Sequence, residues 1–314
     1  FTLDRFRSTF SNTTGRVTMA QVADVHDGFA NAMKFTCTTA DTSIASDEYF
    51  ILQYKFEGQD VQLLKKGSSD AEEFTVSFYV KGNASATYAV EMYDLDNNRQ
   101  ISKTFSVTTD WTRVVLTFPA DTTGAFGDDN AASLQLGIWL HAGSNYTSGT
   151  LNSSAFAANS SAQRAGGITS FFDSTDRTFF LTGLQLEVGS QATPFEHRSF
   201  GEELALCQRY FYPFLRGTNN YENIALGYSY NSSTGMVLLI PPVEMRDTPS
   251  FTSSGTFNAN DGSDDSSLTF TFEGQGSKRC FRCNVGNFST TSGKGFQLRA
   301  HNNTSSKFEL SAEL

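Results

Sequence analysis

The chain lacks most of what announces chemistry. Histidine occurs four times in 314 residues, at His26, His141, His197 and His301, and none of these stands in H-E-x-x-H spacing. No G-x-S-x-G elbow and no glycine-rich phosphate loop is present. Cysteine is equally sparse. Cys37, Cys207, Cys280 and Cys283 are too few to frame a chain of this length with disulfides, so reduced thiols are expected. Cys280 and Cys283 form a lone C-x-x-C without the second pair that a zinc ribbon needs, and residues three apart on a strand face opposite sides. No catalytic residue, no metal and no cofactor can be assigned. A glycosidase would leave no trace in sequence, but nothing singles out a carboxylate pair among 33 acidic residues.

Positive charge is also scarce. With 23 Lys and Arg against 33 Asp and Glu, the net charge is −10, and no basic stripe exists to displace counterions from a phosphate backbone. Nucleic acid is excluded as a partner. No run approaches the roughly 18 apolar residues of a membrane span, so no membrane insertion is expected. The opening "FTLDRFRSTF" is neither a signal peptide nor a span, and it lacks Met, which leads us to expect further chain upstream. The sequons at Asn83, Asn145 and Asn231 follow from a composition rich in Asn, Ser and Thr, and carry no meaning without a secretion signal.

What is abundant is large apolar side chains at strand spacing, from 29 Phe and 11 Tyr. Period-2 sets recur: Phe50, Leu52, Tyr54 and Phe56; Phe74, Val76, Phe78 and Val80; Tyr88, Val90 and Met92; Phe105 and Val107. They continue with Val114, Leu116 and Phe118, then Leu134, Leu136, Ile138 and Leu140, and finally Phe180, Leu184, Leu186 and Val188. Turn-rich stretches separate them. Strand after strand without alternating helices predicts an all-β chain beginning with a jelly-roll β-sandwich. "EGQDVQLLKKG" at 57–67 has room for one short helical turn. The polar passage 142–167 has no periodicity and reads as a long loop, functional or mobile.

One helix interrupts the pattern. Ser199 and Glu202 have the spacing of a capping box, Phe200, Leu204, Cys207 and Phe211 fall on one helical face, and Pro213 ends the run. After Gly217 the strand pattern resumes. The expected layout is a jelly roll over 1–198, a linker helix over 199–213, and a second, smaller β-sandwich over 214–314.

Two acidic patterns resemble cation loops without completing one. "DLDNNR" places Asp94, Asp96 and Asn98 at alternate positions, but Arg99 replaces the glycine of an EF-hand, so a hairpin turn is expected; "GDDN" at 127–130 and "DGSDDS" at 261–266 are read the same way. Trp111 opens a strand and is expected to close the end of the first core. Trp139 lies out of phase with Leu136, Ile138 and Leu140. With His141 on its own face and Tyr146 in the next loop, it forms either a sugar-stacking platform or a second buried layer or subunit contact.

The segments "DRFRSTF", "EGQDVQLLKKG", "YDLDNNRQISKTFSVTTDWTRVVLTF" and "FFDSTDRTFFLTGLQLEVGSQATPFEHRSFGEELALCQRYF" resemble a family of tailed-phage virion proteins of the tail-fibre or capsid-fibre type. The likeness covers about residues 1–213 and is most specific over 182–211; the second module matches only in style, through "VEMRDTPSF" and the terminal "SAEL". It implies a jelly roll similar to carbohydrate-binding modules, carried on the phage particle and made and assembled in the host cytoplasm. The resulting expectation is a non-enzymatic virion surface protein for display and adhesion to a host glycan, a homo-oligomer and for a fibre a trimer, held among other virion proteins. A head-attached decoration protein and a glycan depolymerase are the alternatives. The apolar face of the helix, Phe200, Leu204, Cys207 and Phe211, is the expected contact between copies.

Overall fold

The computed structural model describes residues 5–262, 264–265, 268–273 and 277–314. The acidic run 261–266 therefore lies partly outside the described residues. The chain divides into two units, one ending at His197 and one spanning Arg198–Leu314.

The first unit is a jelly-roll β-sandwich. Its strands are β1 (Arg7–Ser11), β2 (Arg16–Val22), β3 (Ala32–Thr39), β4 (Tyr49–Glu57), β5 (Phe74–Gly82), β6 (Ala86–Asp94), β7 (Arg99–Val107), β8 (Thr112–Phe118), β9 (Ala132–Ala142), β10 (Ala157–Ala158) and β11 (Thr178–Val188). One sheet has the order β1-β4-β9-β6-β7-β10 and the other β2-β3-β11-β5-β8. Alternating side chains of both sheets meet between them. Phe50, Leu52, Tyr88, Val90, Leu136 and Ile138 come from the first; Phe35, Val76, Phe78, Val114 and Phe179 come from the second. The sequence 57–67 forms two short 3₁₀ turns, at Gly58–Asp60 and Gln62–Leu64.

Two β-bulges shift faces that simple alternation would have kept together. In β11 the pairing with β5 slips between Thr182 and Gln185, where Gly183 adopts φ +60. The left-handed conformation favours glycine there, and a Cβ on Gly183 would lie 2.5 Å from Phe29 Cζ and push that ring aside. Leu184 and Leu186 thus pack on the core, but Phe180, grouped with them by period, faces outward beside Lys34, Lys81 and Trp111. Trp111 likewise stands on that outer face and not at the end of the core, because Phe180 needs cover there. The second bulge, in β9, is described with the site.

Below the β6–β7 turn sits a buried ionic knot. Lys66 Nζ is 2.5 Å from Asp94 and 3.2 Å from Asp121, and donates to the carbonyls of Thr123 and Gly124 at 2.7 Å each. Arg99 forks onto Asp121 at 2.8 and 3.0 Å. Asp94 also accepts the Asn97 N–H at 3.0 Å, closing "DLDNNR" as a hairpin turn; Asp129 closes 127–130 by accepting the Ala131 N–H at 2.9 Å.

The second unit opens with α2 (Phe200–Gln208; α1 is the turn Ser144–Thr147) and holds β12 (Phe211–Pro213), β13 (Asn223–Ser229), β14 (Thr234–Leu239), β15 (Ser250–Ser254), β16 (Phe257–Asn260), β17 (Asp264–Asp265), β18 (Thr269–Glu273), β19 (Phe281–Gly286), β20 (Gly295–Ala300) and β21 (Lys307–Ser311). A seven-stranded sheet, β17-β16-β20-β13-β14-β19-β18, is accompanied by a three-stranded one, β12-β21-β15. Val237, Leu239, Phe281, Val285 and Leu298 from the larger sheet join Phe308 and Leu310 of β21 in one core. Cys283 of β19 is in this core, and Cys280, just before the strand begins, is exposed.

The stretch read as a linker is split between two elements of this unit. The Ser199–Glu202 capping box forms in full, but the helix is nine residues long and ends at Gln208. Buried Tyr210 anchors the chain, and Phe211, expected on the helix, pairs with Ser311 as the first residue of β12. Pro213 cannot continue a helix, and pairing with β21 takes up backbone groups of 211–213.

Candidate functional site

The outer face of the six-stranded sheet carries the most organised polar chemistry in the first unit. Cross-strand register places Gln53, Gly137 and Glu91 in one row and Lys55, Gln135 and Tyr93 in the next. Gly137 puts no side chain between its neighbours. A Cβ there would meet Ile51 at 3.3 Å, Glu91 Oε2 at 3.7 Å and Gln135 Nε2 at 3.9 Å, so the polar tips already crowd that point.

Over these rows folds the loop between β9 and β11. Arg164 on this loop donates to Glu91 through Nε at 2.6 Å and Nη2 at 2.7 Å. Its guanidinium lies 4.9 Å from the Trp139 ring centroid and 5.2 Å from that of Tyr93. Glu91 Oε2 also accepts the Trp139 indole N–H at 3.0 Å. Burial disfavours the Arg164 cation, but its bonds to Glu91 outweigh that and hold its pKa above the ordinary value.

Trp139 does not form the sugar platform. It is fully buried in a small second apolar layer with Ile51, Ala89 and Ala165, against which Tyr49 and Tyr146 pack. Tyr146 is the exposed side of that layer, its ring 5.2 Å from Trp139 and 5.5 Å from Tyr49. His141 is not on Trp139's face. The β4–β9 register slips between Phe50 and Ile51, so that Phe50 faces His141 and Ile51 faces Trp139. Leu140 is the extra residue. His141 therefore points to the core side, edge-on to Phe172 at 5.2 Å. There Ser170 Oγ lies 2.8 Å from Nδ1 and Glu48 3.3 Å from Nε2. Burial pushes the His141 pKa below its ordinary value, with Glu48 and Asp41 opposing the shift.

The residues expected between copies are dispersed. Phe200 is 82% exposed and Leu204 41%, Cys207 is half-buried, and Phe211 has left the helix for β12. Among the described residues, no group of three or more His, Cys, Asp or Glu is arranged to hold a metal ion. Among the described residues, no helix is long and apolar enough to cross a membrane.

Sequence reasoning missed Gln53, Lys55, Glu91, Tyr93, Gln135 and Arg164. Five of them are the polar half of alternations whose apolar half was read, so the signal was present in the phase. Arg164 lies in a loop with no periodicity, and nothing local marks it.

No family model matches the chain, and no curated protein matches it. Among solved structures, the chain is similar to a CBM4 structure at 14% identity, covering 56% of this chain and 79% of that one, with a TM-score of 0.32. It is similar to the family 11 carbohydrate-binding module from Clostridium thermocellum in complex with a β-1,3-1,4-mixed-linked tetrasaccharide, at 11% identity, 62% and 93% coverage, and a TM-score of 0.31. A third is the enzymatically active domain of bacteriophage CBA120 tailspike protein 4, at 9% identity, 59% and 19% coverage, and a TM-score of 0.34. These likenesses assign neither ligand nor activity.

Proposed function

We propose that this chain is a non-enzymatic surface protein of a tailed-phage virion, of the tail-fibre or capsid-fibre kind, that binds a host-surface glycan through its first unit. The family resemblance of residues 1–213 supports the virion setting, with other virion proteins as neighbours and a homo-oligomer, trimeric in a fibre, as the displayed form.

The observation that carries the glycan reading is the pair of rows around Gly137. Sugars need ring faces for their C–H surfaces and fixed planar polar groups for their hydroxyls. Tyr93, Tyr146, Gln53 and the Arg164 guanidinium supply both over one sheet face, with buried Gln135 beneath them. Trp139 and Glu91 are positioning residues in this scheme, because they hold Arg164 and do not reach the surface.

Glycan arrays and adsorption to host cells test the reading with the full chain. Gln53→Ala combined with Tyr93→Ala is expected to abolish binding while the variant stays folded, at a lower melting temperature because both side chains lose hydrogen bonds. A folded variant that binds as well as wild type would overturn the assignment of the face. Wild type that binds no glycan and no cell surface would favour the purely structural decoration role.

A further inference from the structure

The second unit turns an apolar stripe to solvent. In its large sheet Gly227 of β13 pairs with Val237 of β14, and Val237 is buried in the core. Residues one step along face the other way. Leu226 is 77% exposed, Tyr228 50% and Leu238 49%, and the stripe continues past the strand ends with Tyr230 at 41% and Ile240 at 63%. At roughly 200 Å² for a fully exposed large side chain, these amount to on the order of 500 Å² of apolar surface.

Polar residues border it. Leu226 faces Gln297 across the β13–β20 ladder, and Leu238 faces Arg282 across β14–β19. Arg282 in turn lies 3.5 Å from Glu273. An apolar centre with a rim of both charge signs is the anatomy of a protein interface, and the area matches the apolar share of about 800 Å² per partner. Leu226, Leu238 and Ile240 offer a sugar neither a ring nor a hydrogen bond, and the two rings present, Tyr228 and Tyr230, stand among them, so the stripe suits a protein better than a glycan.

Charge selects the partner. Up to His197 the chain has 13 Lys and Arg against 22 Asp and Glu; from Arg198 it has 10 against 11. Of the net −10, the first unit carries −9 and the second −1. Copies of the chain repel through their first units and are close to neutral through their second.

We infer that copies of this chain pack against one another through the outer β13–β14 face of the second unit. The inference rests on the homo-oligomeric reading above and moves its contact from α2 to this sheet.

Light scattering and sedimentation of the full chain at micromolar concentration test it. Wild type is expected to be oligomeric, and Leu226→Asp with Leu238→Asp to be monomeric with unchanged circular dichroism and melting. Phe200→Ser with Leu204→Ser is expected to remain oligomeric. If the aspartate pair does not fold, Leu226→Thr with Leu238→Thr, which keeps strand-compatible shapes, is expected to raise the dissociation constant at least about tenfold. A folded aspartate pair that stays oligomeric, or a threonine pair with an unchanged constant, overturns the β13–β14 contact and leaves the homo-oligomer standing. Monomeric wild type overturns both.

Discussion

Arg164 and Glu91 are 73 positions apart in the chain and are joined by two parallel hydrogen bonds of 2.6 and 2.7 Å. Glu91 is fully buried in the middle of the six-stranded sheet, and Arg164 comes from a loop with little regular structure. The pair pins that loop to the sheet.

Removing one partner should therefore be costly. Glu91→Ala is expected to destabilise the first unit by about 3–5 kcal/mol, since it strands a mostly buried guanidinium. Glu91→Ala with Arg164→Met should cost less than the sum of the single changes. Denaturant midpoints of the four proteins in the cycle measure this.

Trp139→Ala is expected to cost about 3–5 kcal/mol through the cavity it leaves in the second layer. Tyr146→Ala, at the exposed side of the same layer, should cost clearly less. Equal melting temperatures for wild type and Trp139→Ala would contradict the burial of the indole.

His141 sets a pH dependence. Burial holds its folded pKa below the ordinary value near 6.5, so the unfolded chain binds the proton first on acidification. Stability is complete above that value and falls as the pH drops from it toward the folded-state pKa. Unfolding free energies of wild type and His141→Gln, compared between neutral and mildly acidic pH, should converge as the pH falls.

The thiols should separate by exposure. Cys280 is exposed and is expected to react quickly with an alkylating agent in the native protein. Cys283 is buried, which pushes its pKa up to about 12, and burial raises that of Cys37 as well. Both should react only on unfolding. Mass spectrometry of the labelled peptides reads the order.

The strands of the first unit were legible because one side of each must be apolar, and period 2 records that directly. Alternation fails at a bulge. One extra residue at Leu140 sends Trp139 and His141 to opposite faces, and Gly183 separates Phe180 from Leu184. The capping box at Ser199 was readable because it is local. The end of α2 was not, because Phe211 is claimed by Ser311, a hundred positions away. Lys66, Asp94, Asp121 and Arg99 meet only in three dimensions, so their knot had no signature in one.

The order β2-β3-β11-β5-β8 has a consequence for synthesis. β11 lies between β3 and β5, and its residues pair with both. It is also the last strand of the unit to leave the ribosome. Until Thr178–Val188 emerges, that sheet can exist only as two separate antiparallel pairs, β2-β3 and β5-β8, each presenting an open edge beside large phenylalanines. Closure waits on contacts between segments roughly a hundred positions or more apart, which makes folding slow. The nascent first unit is thus at its most adhesive toward other chains just before it is complete.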